Sequence, residues 1–229
     1  MTFGYWALFL PLLHVAAALW LIHRVYWRRY PALLVYLLGE AAAITANVLL
    51  AQNWLTGWLA SQPVRMVLRA LLCFEILYLG CVRLDRGQKA RAIGAMTAAA
   101  LGVAALIAVP VGYAPWDSFM VFRQFFHLEL AAVALGLSLY LWRNPIAENS
   151  EHRAYRTFGT LILVRIAVAG MFVRGGLGYL VFPYTRETWE AVNAGSWIAA
   201  ALLVVLLAWR MTCSFSSRLP HKVYVGAWY

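Results

Sequence analysis

Of the 229 residues, 64% are hydrophobic and only 12% charged, against roughly 45–50% and 25% in soluble domains. With a mean hydropathy of +0.71, a water-solvated fold is excluded and the bilayer is the expected solvent. The net charge of +10 is not massed on one face or tail, so it reads as membrane orientation and not as a nucleic-acid surface.

The expected architecture is an all-α polytopic membrane protein, one domain over 1–229, built as a bundle of seven transmembrane helices. The N-terminus lies outside and the C-terminus in the cytoplasm. The first span, about 4–23, contains Pro11. Arg24, Arg28 and Arg29 follow it and no basic segment precedes it, the reverse of a signal peptide. The second, about 31–51, opens on Pro31, which suits a first helical turn. QNWLTGWLASQ at 52–62 is uncharged and carries two tryptophans, the pattern of an outer interfacial loop. The third span, about 63–82, ends in the basic loop RLDRGQKAR. The fourth, about 92–111, repeats Gly94, Ala98 and Gly102 every four residues. This small-residue stripe lets another helix come close, and a neighbour in the bundle is expected there ahead of a second copy.

YAPWDS makes a short outer turn before the fifth span, about 117–142. RNPIAENSEHRAYR is the longest polar connection. The sixth span, about 157–181, is loosened at its outer end by Gly175, Gly176 and Gly178. The seventh, about 189–209, leads into a short tail, 210–229. Alternating these spans puts 13 Lys/Arg inside: Arg24, Arg28, Arg29, Arg83, Arg86, Lys89, Arg91, Arg143, Arg153, Arg156, Arg210, Arg218 and Lys222. Only Arg186 falls in an outer loop, so the positive-inside bias is decisive for orientation. A bacterial cytoplasmic (inner) membrane is the expected location.

The informative residues are the charges inside the spans. Counting 1.5 Å per residue, Glu40, Glu75, Glu129 and Arg165 are expected in a layer near the midplane, with Arg69, Arg123 and His127 above it. A charge at the centre of a spanning helix costs roughly 2.5–3.5 kcal/mol, so these side chains should face inward and pair or bind. MVLRALLCFE at 66–75 echoes MVFRQFFHLE at 120–129. Its Arg-to-Glu step of six residues turns about 240°, so each charge must find its partner on another helix. On the second span Tyr36, Glu40, Ala43 and Asn47 share a stripe, and on the seventh Glu190, Asn193 and Trp197 do.

Three functions are compatible with this pattern. The first is a non-catalytic membrane protein, a binding, receptor-like or accessory subunit of a complex, with a protein partner or self-association implied by its short loops. The second is a small transporter of an anionic or zwitterionic solute, proton-coupled through one of the glutamates. The third is a redox protein with haem b between His14 and His127, which lie at matching depth. No HExxH, GxSxG or phosphate-loop motif supports catalysis, and no Cys/His spacing suits a metal. Cys73, Cys81 and Cys213 read as packing residues. A retinal protein is excluded, because it needs a lysine in its last helix and the chain has only Lys89 and Lys222.

Overall fold

A computed structural model describes residues 9–24, 26–49, 54–111, 118–146, 150–174 and 186–216. Among them there are seven α-helices and no strand: α1 Phe9–His23, α2 Pro31–Leu49, α3 Trp54–Cys81, α4 Arg86–Val111, α5 Ser118–Arg143, α6 Ser150–Arg174 and α7 Arg186–Ser216. A 3-10 turn, Tyr26–Arg28, joins α1 to α2. The expected start of the first span, most of the YAPWDS turn, the three glycines after α6 and the last 13 residues lie outside the described residues. So do the side chains of Glu190, Asn193 and Trp197.

Several boundaries differ from the sequence reading, each for a local reason. The expected interfacial loop at 52–62 is helical from Trp54, and α3 runs through Pro63 without stopping. Proline removes one rung of the ladder, but a segment buried or in lipid has no water to take up its other backbone groups. The basic loop after α3 is shortened by a reciprocal cap. Gln88 N donates to Asp85 Oδ1 at 2.7 Å and Asp85 N donates to Gln88 Oε1 at 3.1 Å. This is a capping box with Asp and Gln three apart, and it starts α4 at Arg86. Likewise α6 begins at Ser150, inside the long polar connection, with Glu151 in its first turn.

Helices α1, α2, α3, α6 and α7 close on one another, with α5 packed on both α3 and α6. The central core joins Leu21, Leu33, Leu37, Leu72, Ile76, Leu163 and Val204. Helix α4 stands at the edge and packs mainly on α5. It does so through Ala92, Ala95, Met96 and Ala99, not through the expected stripe. Gly136 of α5 lies so close that an added Cβ would sit 2.9 Å from the Ala95 carbonyl oxygen and 3.0 Å from Met96 Cα. Gly94 and Gly102 instead face open space, so the expectation that this stripe seats a neighbour of the bundle is overturned.

Two helical stretches, Pro31–Leu49 and Phe122–Arg143, have the length and apolarity to cross a membrane, while Phe9–His23 and Ile198–Met211 are apolar but shorter. The outer surface carries large apolar side chains on every helix, among them Leu12, Val35, Phe74, Leu101, Leu139, Val168 and Leu202, while Glu40, Arg65, Arg69, Glu75, Arg123 and His127 are buried.

Candidate functional site

The buried polar residues fall into two layers, set by the antiparallel register of α2 and α3. Side chains three and four apart share a helix face. On α1 this buries Leu10, His14, Ala18 and Leu21. On α2 it buries Tyr36 and Glu40, and on α3 Arg65, Arg69, Leu72 and Ile76.

In the central layer, Glu40 is the hub. Its Oε1 accepts from Arg69 Nε at 3.2 Å and from Arg69 Nη2 at 2.8 Å, a two-pronged contact. Its Oε2 lies 3.4 Å from Arg65 Nε, close enough for charge attraction, although Arg65 Nε makes no hydrogen bond there. The remaining fork of Arg69, Nη1, meets His127 Nε2 of α5 at 2.9 Å. Arginine only donates, so His127 Nε2 is the acceptor and the ring proton sits on Nδ1. Next along α5, Arg123 Nη1 donates to Gln62 Oε1 at 3.0 Å, and Gln124 Nε2 donates to the Gly170 carbonyl of α6 at 2.8 Å.

Helices α1, α6 and α7 complete the layer. Arg165 donates from Nη1 to Ser196 O at 3.0 Å and Ser196 Oγ at 3.1 Å. It hydrogen-bonds Tyr36 and lies within electrostatic reach of Glu40 and Arg69. His14 donates from Nδ1 to its own helix at Leu10 O, 2.7 Å away, and lies near Glu40, Arg65 and Arg165. Six of the seven helices thus send a polar side chain to one centre.

Glu75 belongs to a different layer. Its Oε1 accepts from Ala32 N at 3.1 Å and its Oε2 from Leu33 N at 3.2 Å. Tyr155 Oη of α6 donates to Oε2 at 2.5 Å. A carboxylate from α3 therefore caps the first turn of α2, where free N–H groups and the helix dipole favour negative charge. Eight residues separate Ala32 from Glu40, about 12 Å along the axis, so the single midplane layer expected for Glu40, Glu75, Glu129 and Arg165 does not form. Around this cap the rings of Tyr30 and Tyr155 meet at a tilt of 46° with centroids 4.8 Å apart, and Arg29 pairs with Glu151 at 3.3 Å. Burial, with the Glu151 charge second, pushes the Tyr30 phenol up, so that it stays protonated.

Of the sequence-derived candidates, Glu40, Arg69 and His127 are in direct contact, Arg165 stands beside them, and Arg123 follows one turn along α5. Glu75 is a cap. Glu129 is half-buried and joins no ion pair among the described residues. The 66–75/120–129 echo holds for burial of the two arginines but not for the glutamates' partners. Gln62 is not singled out by the sequence, and Arg65 is placed there on the face of Arg69 and Cys73 without being a site candidate. Its spacing of four from Arg69 is the signal that carries it into the same layer. The haem geometry meets an obstacle too, since His127 Nε2 is taken by Arg69. No group of three or more His, Cys, Asp or Glu suited to a metal occurs among the described residues.

Fold and site together define an all-helical bundle with a charged interior and an apolar exterior. Comparison with protein-family models, curated proteins and solved structures found no match.

Proposed function

We propose that the chain is an integral membrane protein of seven spans, N-terminus outside, in a bacterial cytoplasmic membrane, and that it binds instead of catalysing. It acts as a receptor-like or accessory membrane subunit whose working part is the polar centre around Glu40. The observation carrying this reading is the inverted distribution of polarity. Six helices direct His14, Tyr36, Glu40, Arg65, Arg69, His127, Arg165 and Ser196 to one interior, while leucine, valine and phenylalanine cover the outside. In water that surface would be an aggregation liability; in lipid it is the ordinary arrangement, with charges turned toward the bundle.

Binding is favoured over proton relay because two of the three in-span glutamates are committed. Both oxygens of Glu40 face guanidiniums and both oxygens of Glu75 accept hydrogen bonds. Glu129 alone keeps a proton-coupled transporter as the second reading. Alkaline carbonate extraction of native membranes tests the first part: the protein stays in the pellet, and release to the supernatant refutes the membrane assignment. Mild solubilisation tests the second, with a stoichiometric partner expected to co-purify. Solute flux into proteoliposomes that disappears in Glu129→Gln would replace the binding reading with transport.

A further inference from the structure

Building on the binding reading just proposed, we infer that the polar centre is a receptor site for a small oxyanion, a carboxylate or a phosphate, gripped by Arg65 and Arg165. The argument begins with charge. Arg65, Arg69 and Arg165 converge on the centre, and among the described residues Glu40 is the one carboxylate that ion-pairs with any of them. Arg69 is spent: Nε and Nη2 serve Glu40, and Nη1 serves His127. The other two are not. Arg65 is 9% exposed, and its one contact, at 3.4 Å, fails as a hydrogen bond. Arg165 gives Nη1 to Ser196 and hydrogen-bonds Tyr36, yet leaves Nε without an acceptor.

A guanidinium is a planar fork of five donors matched to the two oxygens of a carboxylate or phosphate. Buried donors of this kind are ordinarily satisfied. Two such forks on α3 and α6, held around a carboxylate that already has its arginine, leave net positive charge and open N–H groups in one place. Only an acceptor-rich anion supplies both missing components. A cation is repelled, and a neutral ligand leaves the charge uncompensated.

The test is thermal unfolding of the full chain in dodecylmaltoside, titrated with sodium phosphate or sodium succinate against sodium chloride of equal ionic strength. One oxyanion is expected to raise Tm saturably, by about 5–10 °C at a hundred times its Kd. Arg65→Lys keeps the charge but loses the fork, and should weaken the apparent Kd at least tenfold while folding normally; Arg165→Gln should do the same. The exposed Arg29→Gln should not change it. No saturable shift with either anion, or an unchanged Kd in both Arg65→Lys and Arg165→Gln, overturns the site. Nanodiscs separate the sources. If phosphatidylglycerol discs already carry the shift and added phosphate does nothing further, a lipid headgroup is the oxyanion; a phosphate shift in both phosphatidylcholine and phosphatidylglycerol discs assigns a free solute. Carbonate extraction is scored independently, so loss of the membrane reading and loss of the anion site are distinguishable.

Discussion

The cap that Glu75 places on α2 gives the sharpest prediction, because geometry assigns it a structural role where sequence suggested a proton carrier. Glu75→Ala removes the acceptor from Ala32 N, Leu33 N and Tyr155 Oη at once. Orphaning two backbone donors costs about 1 kcal/mol or more each, and losing a charge at the helix N-terminus adds about 0.5–2 kcal/mol, giving ~3–4 kcal/mol in all. Glu75→Gln retains one acceptor oxygen and the volume, so about 1–2 kcal/mol is expected. Tyr155→Phe removes one hydrogen bond to a charged acceptor, about 1.5–3 kcal/mol. Because the two side chains touch, the double variant should fall short of additivity by about 1 kcal/mol. Thermal unfolding in detergent, followed by helical circular dichroism, reads these as Tm losses of roughly 2–4 °C per kcal/mol. If Glu75→Ala, Glu75→Gln and Tyr155→Phe all melt within about 2 °C of the parent, the cap does not stabilise α2 and the reasoning fails.

Further outcomes follow from the same contacts. Glu40→Gln leaves Arg65 and Arg69 buried against a neutral side chain and should cost about 3–5 kcal/mol, seen as loss of monodisperse protein on size exclusion; Glu40→Gln combined with Arg69→Gln should recover part of it. Nitrogen-15 NMR of histidine-labelled protein should find His127 in the tautomer protonated at Nδ1, and Arg69→Gln should relax that preference. Gly136→Ala pushes a methyl against α4 backbone and should cost about 1–3 kcal/mol, whereas Gly94→Ala, in open space, should stabilise or leave Tm unchanged. Arg29→Gln, at an ion pair whose arginine is 60% exposed, should cost under about 1 kcal/mol.

Helical class and much of the central cluster were legible in the sequence because a charge in an apolar span must turn inward. That rule alone located Glu40, Arg69, Arg123, His127 and Arg165. Depth counting failed for Glu75, because rise per residue fixes height only relative to the helix ends assumed. With α3 running from Trp54, Glu75 meets the first turn of α2 instead of its middle. The capping box at Asp85–Gln88 was present in the letters but hidden by treating RLDRGQKAR as a charge run. The stripe on α4 was read correctly as small and wrongly as a bundle contact, since spacing defines a face without saying which way it turns. Arg65 shares the face of Arg69 by spacing, but it sits near the expected end of its span, where an arginine ordinarily reaches to the interface, so spacing alone does not place it in the cluster.

The two polar layers share the α2–α3 pair and do different work. At the start of α2 every oxygen of Glu75 is satisfied and the tilted ring pair of Tyr30 and Tyr155 packs beside it, so this layer fixes the register of the two helices. Two turns further along, the same register delivers Glu40 to Arg69. There the matching is incomplete: one carboxylate stands among the three guanidiniums of Arg65, Arg69 and Arg165, and Nε of both Arg65 and Arg165 lacks an acceptor, as does Nε of Arg123 farther along α5. A structural ion-pair set would be expected to close around its carboxylate, as the cap around Glu75 does even though the buried Tyr30 hydroxyl beside it has no hydrogen-bond partner. Perturbing the first layer should therefore lower stability and leave ligand affinity of the folded protein intact. Perturbing Arg65 should lower affinity with little loss of stability, because it makes no hydrogen-bonded ion pair; Arg165→Gln should lower affinity with a stability loss limited to its hydrogen bonds to Ser196 and Tyr36. Phosphate or succinate titrations on Glu75→Gln and Arg165→Gln side by side decide it: if both variants lose stability and affinity together, the layers are one structural network and the binding role falls.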